Sequence, residues 1–247
     1  MRNIWTIAKR EYKIYFSSPL AYMVMLIILG VVAIIFAYNV YNMTANSFGF
    51  SQVPDITIFT GPMAFMLLFS VPTLTMRLLA DEHRMGTLEL MLTAPVRDWE
   101  LVVGKWLGSF LFVLTMIGIS LIFPFILNSM VDPGIDQQLM LSSYLGIILV
   151  SAAFLSIGVS ISAMFSNQFS AFFLTMGVLV ILWFLIGIPA QLFFTGGEIF
   201  NYLDMNSRFY NSLNQGIINL SDIVYLLSVT ALGLFIGTVA IETRRWR

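Results

Sequence analysis

An all-α integral membrane protein with six transmembrane helices is the fold this sequence predicts, and three observations carry it. Of 247 residues, 59% are hydrophobic and 10% charged, where a soluble domain carries about 25% charged residues. The mean hydropathy is +0.90. The apolar residues gather into runs near 20–41, 58–79, 101–127, 143–165, 170–194 and 223–241. Each is long enough, at 1.5 Å per residue, to cross a ~30 Å hydrocarbon core. No segment between them can bury a soluble core of its own, so residues 1–247 read as a single transmembrane domain.

Charge sets the expected orientation. Of the twelve Lys and Arg, Arg2, Lys9, Arg10 and Lys13 precede the first span. Arg77, Arg84, Arg97 and Lys105 surround the connection between spans two and three. Arg244, Arg245 and Arg247 follow the sixth span, and Arg208 alone falls on the other side. The positive-inside rule then places both termini and the 80–100 loop in the cytoplasm.

The N-terminal segment, 1–18, has Ile4, Trp5, Ala8, Tyr12, Tyr15 and Phe16 at helical spacing, with Arg2, Thr6, Lys9, Arg10 and Lys13 opposite. This predicts an amphipathic helix in the membrane interface, broken by Ser17-Ser18-Pro19. The alternative is the start of one long first helix. The first apolar run is longer than a signal-peptide h-region, so it reads as a span.

The second connection is richer than a turn requires: RMGTLELMLTAPVRDWELVVGK, residues 84–105. Gly86 can take positive φ and end the helix leaving span two. Thr87 is a plausible N-cap. Leu88, Met91 and Leu92 then share a helical face, with Glu89 on another. Pro95 stops this short helix. Asp98 is expected to cap the next one, with Glu100 in its first turn. Gly104 and Gly108 form a small-xxx-small pair that permits close helix contact. The segment reads either as a lever across the ends of two membrane helices or as an ordinary structured loop.

In span four, Ala152, Ser156 and Ser160 make another close-packing stripe, and Pro72, Pro124 and Pro189 are expected to kink their helices. The 195–222 region after span five is less apolar and rich in Phe and Tyr. It reads as re-entrant or surface helices, or as an external loop with interfacial aromatics.

Several function classes are disfavoured. There is no cysteine, hence no disulfide, thiolate metal site or Cys nucleophile. The single histidine, His83, has no second His or Cys with which to share a metal. No phosphate-binding glycine loop or zinc-protease motif occurs, so the chain is not expected to be an enzyme. Residues 20–41, 58–76, 106–127, 143–165, 169–194 and 223–241 contain no Asp, Glu, Lys, Arg or His. Ion-coupled carriers usually keep such groups at mid-membrane. Energy for any movement is therefore expected from a partner on the cytoplasmic side.

The stretch DEHRMGTLELMLTAPVRDWELVVGKWLG resembles the signature loop of ATP-binding-cassette exporter permeases of the second type. REYKIYFSSPLAY resembles that family's N-terminal interfacial helix. RFYNSLNQGIINLSDIVYLLSVTALGLFIGTVAIETRRWR is similar to the last external segment and sixth span of its gliding-motility-type branch. Arg208 departs from that pattern, standing where the branch carries His before the aromatic residue.

The resemblance implies an exporter permease of the bacterial inner membrane, forming a dimer, most simply a homodimer, on two copies of a separate ATPase. ATP and Mg would bind in the partner, and no cofactor in this chain. Residues 86–95 would form the coupling helix. Leu88, Met91 and Leu92 would contact the ATPase, and Gly86, Thr87 and Pro95 would shape the turn. Glu82, Glu89 and Lys105 occupy the family's motif positions. An additional membrane partner with a large extracytoplasmic domain accompanies that branch; no nucleic acid is expected.

By the same resemblance, spans two and five meet near the dimer axis. Phe65, Met66, Phe69 and Thr73 are pathway candidates in span two, and Leu182, Leu185 and Gln191 in span five. A Phe/Met stripe reads equally as a lipid-facing or packing surface. A pathway so lined would favour an amphipathic or hydrophobic cargo over a small ion. Three classes stay open: an ATP-driven exporter permease, a permease-like mechanical transmitter acting on an envelope partner without transport, and a carrier or channel independent of any ATPase.

Overall fold

The computed structural model describes residues 2–45, 55–86, 97–132, 134–192 and 197–245, and among these there are helices and turns but no strand. The elements are α1 (Arg2–Ser17), α2 (Pro19–Ala45), α3 (Thr57–Thr75), α4 (Ala80–Arg84), α5 (Asp98–Ser120), α6 (Ile122–Met130) and α7 (Gln137–Met164). Then come α8 (Gln168–Val180), which runs into a π turn (Ile181–Leu185), α9 (Gly187–Leu192), α10 (Gly197–Leu203), α11 (Met205–Tyr210), a 3₁₀ turn (Leu213–Gln215) and α12 (Leu220–Arg245).

Among the described residues, six helical segments are long and apolar enough to span a membrane: Pro19–Asn42, Thr57–Glu82, Asp98–Met130, Gln137–Met164, Gln168–Pro189 and Leu220–Thr243. The chain is an integral membrane protein. The third segment is longer than the expected 101–127, and the fourth starts before 143 because Asp136 caps it. The Asp136 carboxylate accepts from the Gln138 and Leu139 amides at 2.8 and 3.3 Å.

The α7 helix is the hub, packing against α12, α3, α5 and α8. Its expected stripe is used for that purpose. Ser156 faces Gly233, Ser160 faces Gly237 and donates to the Gly233 carbonyl, and the Ala152 carbonyl accepts from the Trp106 indole at 3.1 Å. Small side chains let backbones approach where lipid offers no hydrophobic drive for association.

The prolines locate the breaks. Pro124 has no N–H for the Ser120 carbonyl four residues back, and α5 ends at that residue. The Tyr144 hydroxyl of α7 donates to this freed carbonyl at 3.2 Å. Past Pro72 the chain leaves α-geometry at 76–79 before resuming as α4. There the Ser162 hydroxyl accepts from the Leu79 and Ala80 amides at 3.1 and 3.2 Å. Just before Pro189, the π turn is closed by the Ile186 amide on the Ile181 carbonyl at 3.0 Å. At the first two breaks a side chain of α7 satisfies backbone that the helix ladder leaves free.

Candidate functional site

At the end of the molecule where α1, α4 and the start of α5 meet, α1 runs alongside α5 in the same direction. Asn3 donates to Glu100 at 3.1 Å. Further along, Ile7 lies against Gly104, and Ala8 and Glu11 against Gly108. The Tyr12 and Thr115 hydroxyls are 3.0 Å apart, and Tyr15 stacks on Phe112 with centroids 4.9 Å apart. The apolar face expected to sit in the membrane interface is thus largely covered by α5. Trp5 and Ile14 remain exposed at its flanks.

The Gly104 and Gly108 pair makes this approach possible. A Cβ on Gly108 would stand 2.6 Å from the Glu11 Cβ and 2.9 Å from the Ala8 carbonyl, and one on Gly104 would stand 2.8 Å from Ile7. Gly→Ala in a helix interior ordinarily stabilises by about 1 kcal/mol. Here the overpacking term, about 1–3 kcal/mol, reverses the sign. Thermal melting in detergent is expected to show Gly108→Ala destabilised. Gly30→Ala, where a Cβ meets nothing within 4 Å, is expected to be neutral or stabilised. Equal shifts for both would show that the α1–α5 contact does not set stability.

The close approach brings together charges from three elements. The Lys105 ammonium lies 3.0 Å from Glu11 Oε1 of α1 and 2.8 Å from Glu82 Oε1 of α4. Arg10 reaches the same two oxygens at 3.0 and 3.3 Å. The Lys105 side chain is 1% exposed and those of Glu11 and Glu82 6% and 13%, while Arg10 is 48% exposed. Exposed Arg10 adds little energy. Lys105 is decisive, because a buried ammonium must be paired to exist.

Around the cluster, the Tyr15 hydroxyl donates to the Leu74 carbonyl at 3.1 Å, tying α1 to span two. Burial raises its pKa above the ordinary phenol value, so it remains a donor. A cavity of about 270 Å³ opens at the cluster, where Glu11, Glu82 and Lys105 line it together with Tyr15, Ala21 and Leu74 from α1, α2 and α3.

The structure therefore places Glu82 and Lys105, two of the residues singled out in sequence, in direct contact. Gly86 is exposed, with φ of +69°, the left-handed conformation its position required. Thr87, Leu88, Glu89, Met91, Leu92 and Pro95 lie outside the described residues. Asp98 is not the cap that was expected. Arg97 is the N-cap residue and Asp98 the first helical one, while Glu100 reaches back to accept from the Arg97 amide at 3.2 Å. The longer Glu side chain at the third helical position does what Asp98, inside the helix, cannot.

Of the pathway candidates, Phe65 and Phe69 pack edge to face at 5.5 Å, and Phe65 meets Phe184 of the π turn at 6.1 Å. Spans two and five thus touch through aromatic rings. Phe69 and Leu185 are exposed at this seam, and Met66, Thr73 and Leu182 are half-buried. The Gln191 side chain lies outside what is described.

The sequence reading overlooked Glu11 and Arg10. The signal was present: Glu11 is the only acid in residues 1–18, and it falls three after Ala8 and four before Tyr15, on the apolar face. An acid there demands a buried cation. A second cluster, at the opposite end, was also missed. Arg208 of α11 pairs with Asp222 of α12, and its guanidinium lies 4.3 and 4.5 Å from the Tyr202 and Tyr225 ring centroids.

A family model for the ABC-2 type transporter membrane region matches residues 2–192. The chain belongs to the ABC-2 type transporter family. None of the curated proteins matches it. As an ABC-2 membrane domain it is a permease component of an ABC transporter, the non-catalytic membrane subunit that pairs with an ABC ATPase. The matched region contains every contributor to the Lys105 cluster and ends before the Arg208–Asp222 pair.

Proposed function

We propose that this ABC-2 permease is the membrane subunit of an ATP-driven exporter, a homodimer carrying two ATPase copies, with both termini cytoplasmic in a bacterial inner membrane. ATP and Mg act in the partner. The 86–95 segment seats in the ATPase through Leu88, Met91 and Leu92, with Glu89 beside them, while Gly86, Thr87 and Pro95 set its shape. One observation carries the reading: Lys105 binds Glu11 of α1 and Glu82 of α4 at once, four residues before Gly86. A push on the segment then reaches span two through α4, span three through Lys105, and α1 through Glu11.

Packing supports a moving unit. α1 is close-packed on α5, whereas its other flank borders the cavity toward α2 and α3. So α1 and span three can move as one body, with the Lys105–Glu82 pair and the Tyr15–Leu74 hydrogen bond passing that movement to span two. The aromatic seam of Phe65, Phe69 and Phe184 suits an amphipathic or hydrophobic cargo better than a hydrated ion. In the gliding-motility-type reading, a membrane partner with an extracytoplasmic domain completes the complex.

Co-expression with the cognate ATPase tests this. Purification through a tag on the permease is expected to bring down a hydrolysing ATPase with the wild type. Glu89→Arg and Leu92→Asp are expected to release it while each permease keeps its melting temperature. Retention of the ATPase by both variants would sink the lever. Hydrolysis without movement of any cargo in proteoliposomes, dependent on an envelope partner, would instead favour mechanical transmission.

A further inference from the structure

A groove on the flank of α1 away from the ion cluster is used by neither the coupling unit nor the aromatic seam. Trp5, Lys9 and Tyr12 of α1 and Leu111, Leu114 and Thr115 of α5 line it, and its volume is about 530 Å³. The two helices run in the same direction, so the groove is polar at one end and apolar at the other. Lys9, between Ala8 and Glu11, lies near the level of Gly108. Leu111 and Leu114 lie further along, where the helix has entered the apolar span. The Tyr12 hydroxyl donates to that of Thr115, which donates in turn to the Leu111 carbonyl at 2.9 Å, so neither needs a partner in the groove.

Lys9 is its one charged lining group. It is exposed and makes no ion pair among the described residues, whereas Arg10, its neighbour in sequence, is held by Glu11 and Glu82. Trp5 is 58% exposed beside it. An indole and an ammonium at the rim of an apolar slot, at the depth where a span begins, match the interfacial zone of a bilayer.

We propose that this groove holds a phospholipid of the adjacent leaflet with an anionic headgroup. Its acyl chain lies along Leu111 and Leu114, its phosphate region sits at Lys9, and Trp5 flanks the headgroup on the far side of Lys9 from the apolar half. The charge argues for a net anionic lipid over a zwitterionic one, since a zwitterionic headgroup brings its own ammonium beside Lys9. The apolar half argues for a lipid over a free anion.

The full-length protein, reconstituted in phosphatidylcholine vesicles containing a minority of dibrominated phosphatidylglycerol or dibrominated phosphatidylcholine, provides the test. Bromine quenches nearby tryptophan, and the Trp5 share of the quenching is the part lost in Trp5→Phe. This share is expected to reflect about fivefold preference for the anionic lipid, the effect of one cation at an anionic leaflet. Lys9→Gln is expected to abolish the preference. Lys13→Gln removes the same charge from the same helix outside the groove, and is expected to retain it. Equal quenching by the two lipids, or equal loss in both Lys variants, would overturn the site in favour of unspecific surface charge. Release of the quenching by inorganic phosphate would assign it to a free anion, and would overturn it too.

Discussion

Lys105→Met is expected to destabilise the folded permease by about 3–5 kcal/mol, the usual result of removing one partner from a buried ion pair. The loss comes less from the missing attraction than from what remains. Glu11 and Glu82 each place an oxygen within 3.0 Å of the same ammonium, so without it two carboxylates confront each other in a space water barely reaches. Arg10 already touches both oxygens, but it sits half in solvent and compensates only in part. The checking measurement is the thermal midpoint in detergent, compared with Lys105→Met/Glu11→Gln/Glu82→Gln. The triple variant removes every charge that Lys105 balanced, and is expected to recover most of the loss, as replacing a whole buried pair commonly does. If Lys105→Met melts with the wild type, the cluster is not holding α1 to spans two and three. The triple variant also separates stability from coupling. Folded but unable to link ATP hydrolysis to transport, it would show that these charges transmit motion as well as fix structure.

How much of this could be read in the sequence depends on where the partner of each residue lies. The spans announce themselves because a bilayer demands runs of apolar residues, and such runs are local. Gly86 was legible for the same reason: a helix ending at Arg84 needs a residue that tolerates positive φ next. The Gly104/Gly108 spacing announced a close contact, but only the fold shows that α1 is what approaches. Glu82 and Lys105 were singled out through the family resemblance as motif positions, but that they pair with each other and with Glu11, 94 positions from Lys105, is visible only in three dimensions. Asp98 was misplaced by one residue because an acidic side chain before an apolar run suits both the cap and the first turn. The choice between them was made by Glu100, which also answers to Asn3 far away in the chain.

The cluster at the other end has the same logic, and Asp222→Ala is expected to cost about 3 kcal/mol or more, the range of a buried pair with one partner removed. Asp222 is 4% exposed. One carboxylate oxygen meets the Arg208 guanidinium, and the other accepts from Ser212 at 2.6 Å and Asn219 at 3.3 Å. Arg208 also donates to the Tyr202 carbonyl at 2.9 Å and lies against the Tyr202 and Tyr225 rings. Removing the carboxylate strands a guanidinium between two rings and takes one acceptor from Ser212 and one from Asn219, which keep the Ile217 carbonyl and the Ser212 hydroxyl. Arg208→Lys should cost less, about 1–2 kcal/mol, because it keeps the charge while losing the planar fork and much of the ring contact. The segment these residues fix also grips the start of span two, through the Tyr210 hydroxyl on the Gly61 carbonyl at 2.9 Å and the Thr60 hydroxyl donating to Asn214. Span two is therefore held at both ends, by Lys105 at one and by this segment at the other. Loosening it is expected to expose the 197–216 region to protease in Asp222→Ala and, more weakly, in Arg208→Lys, with the wild type resistant. Equal cleavage of all three would mean that the pair does not anchor the segment, and that movement of span two need not carry it along.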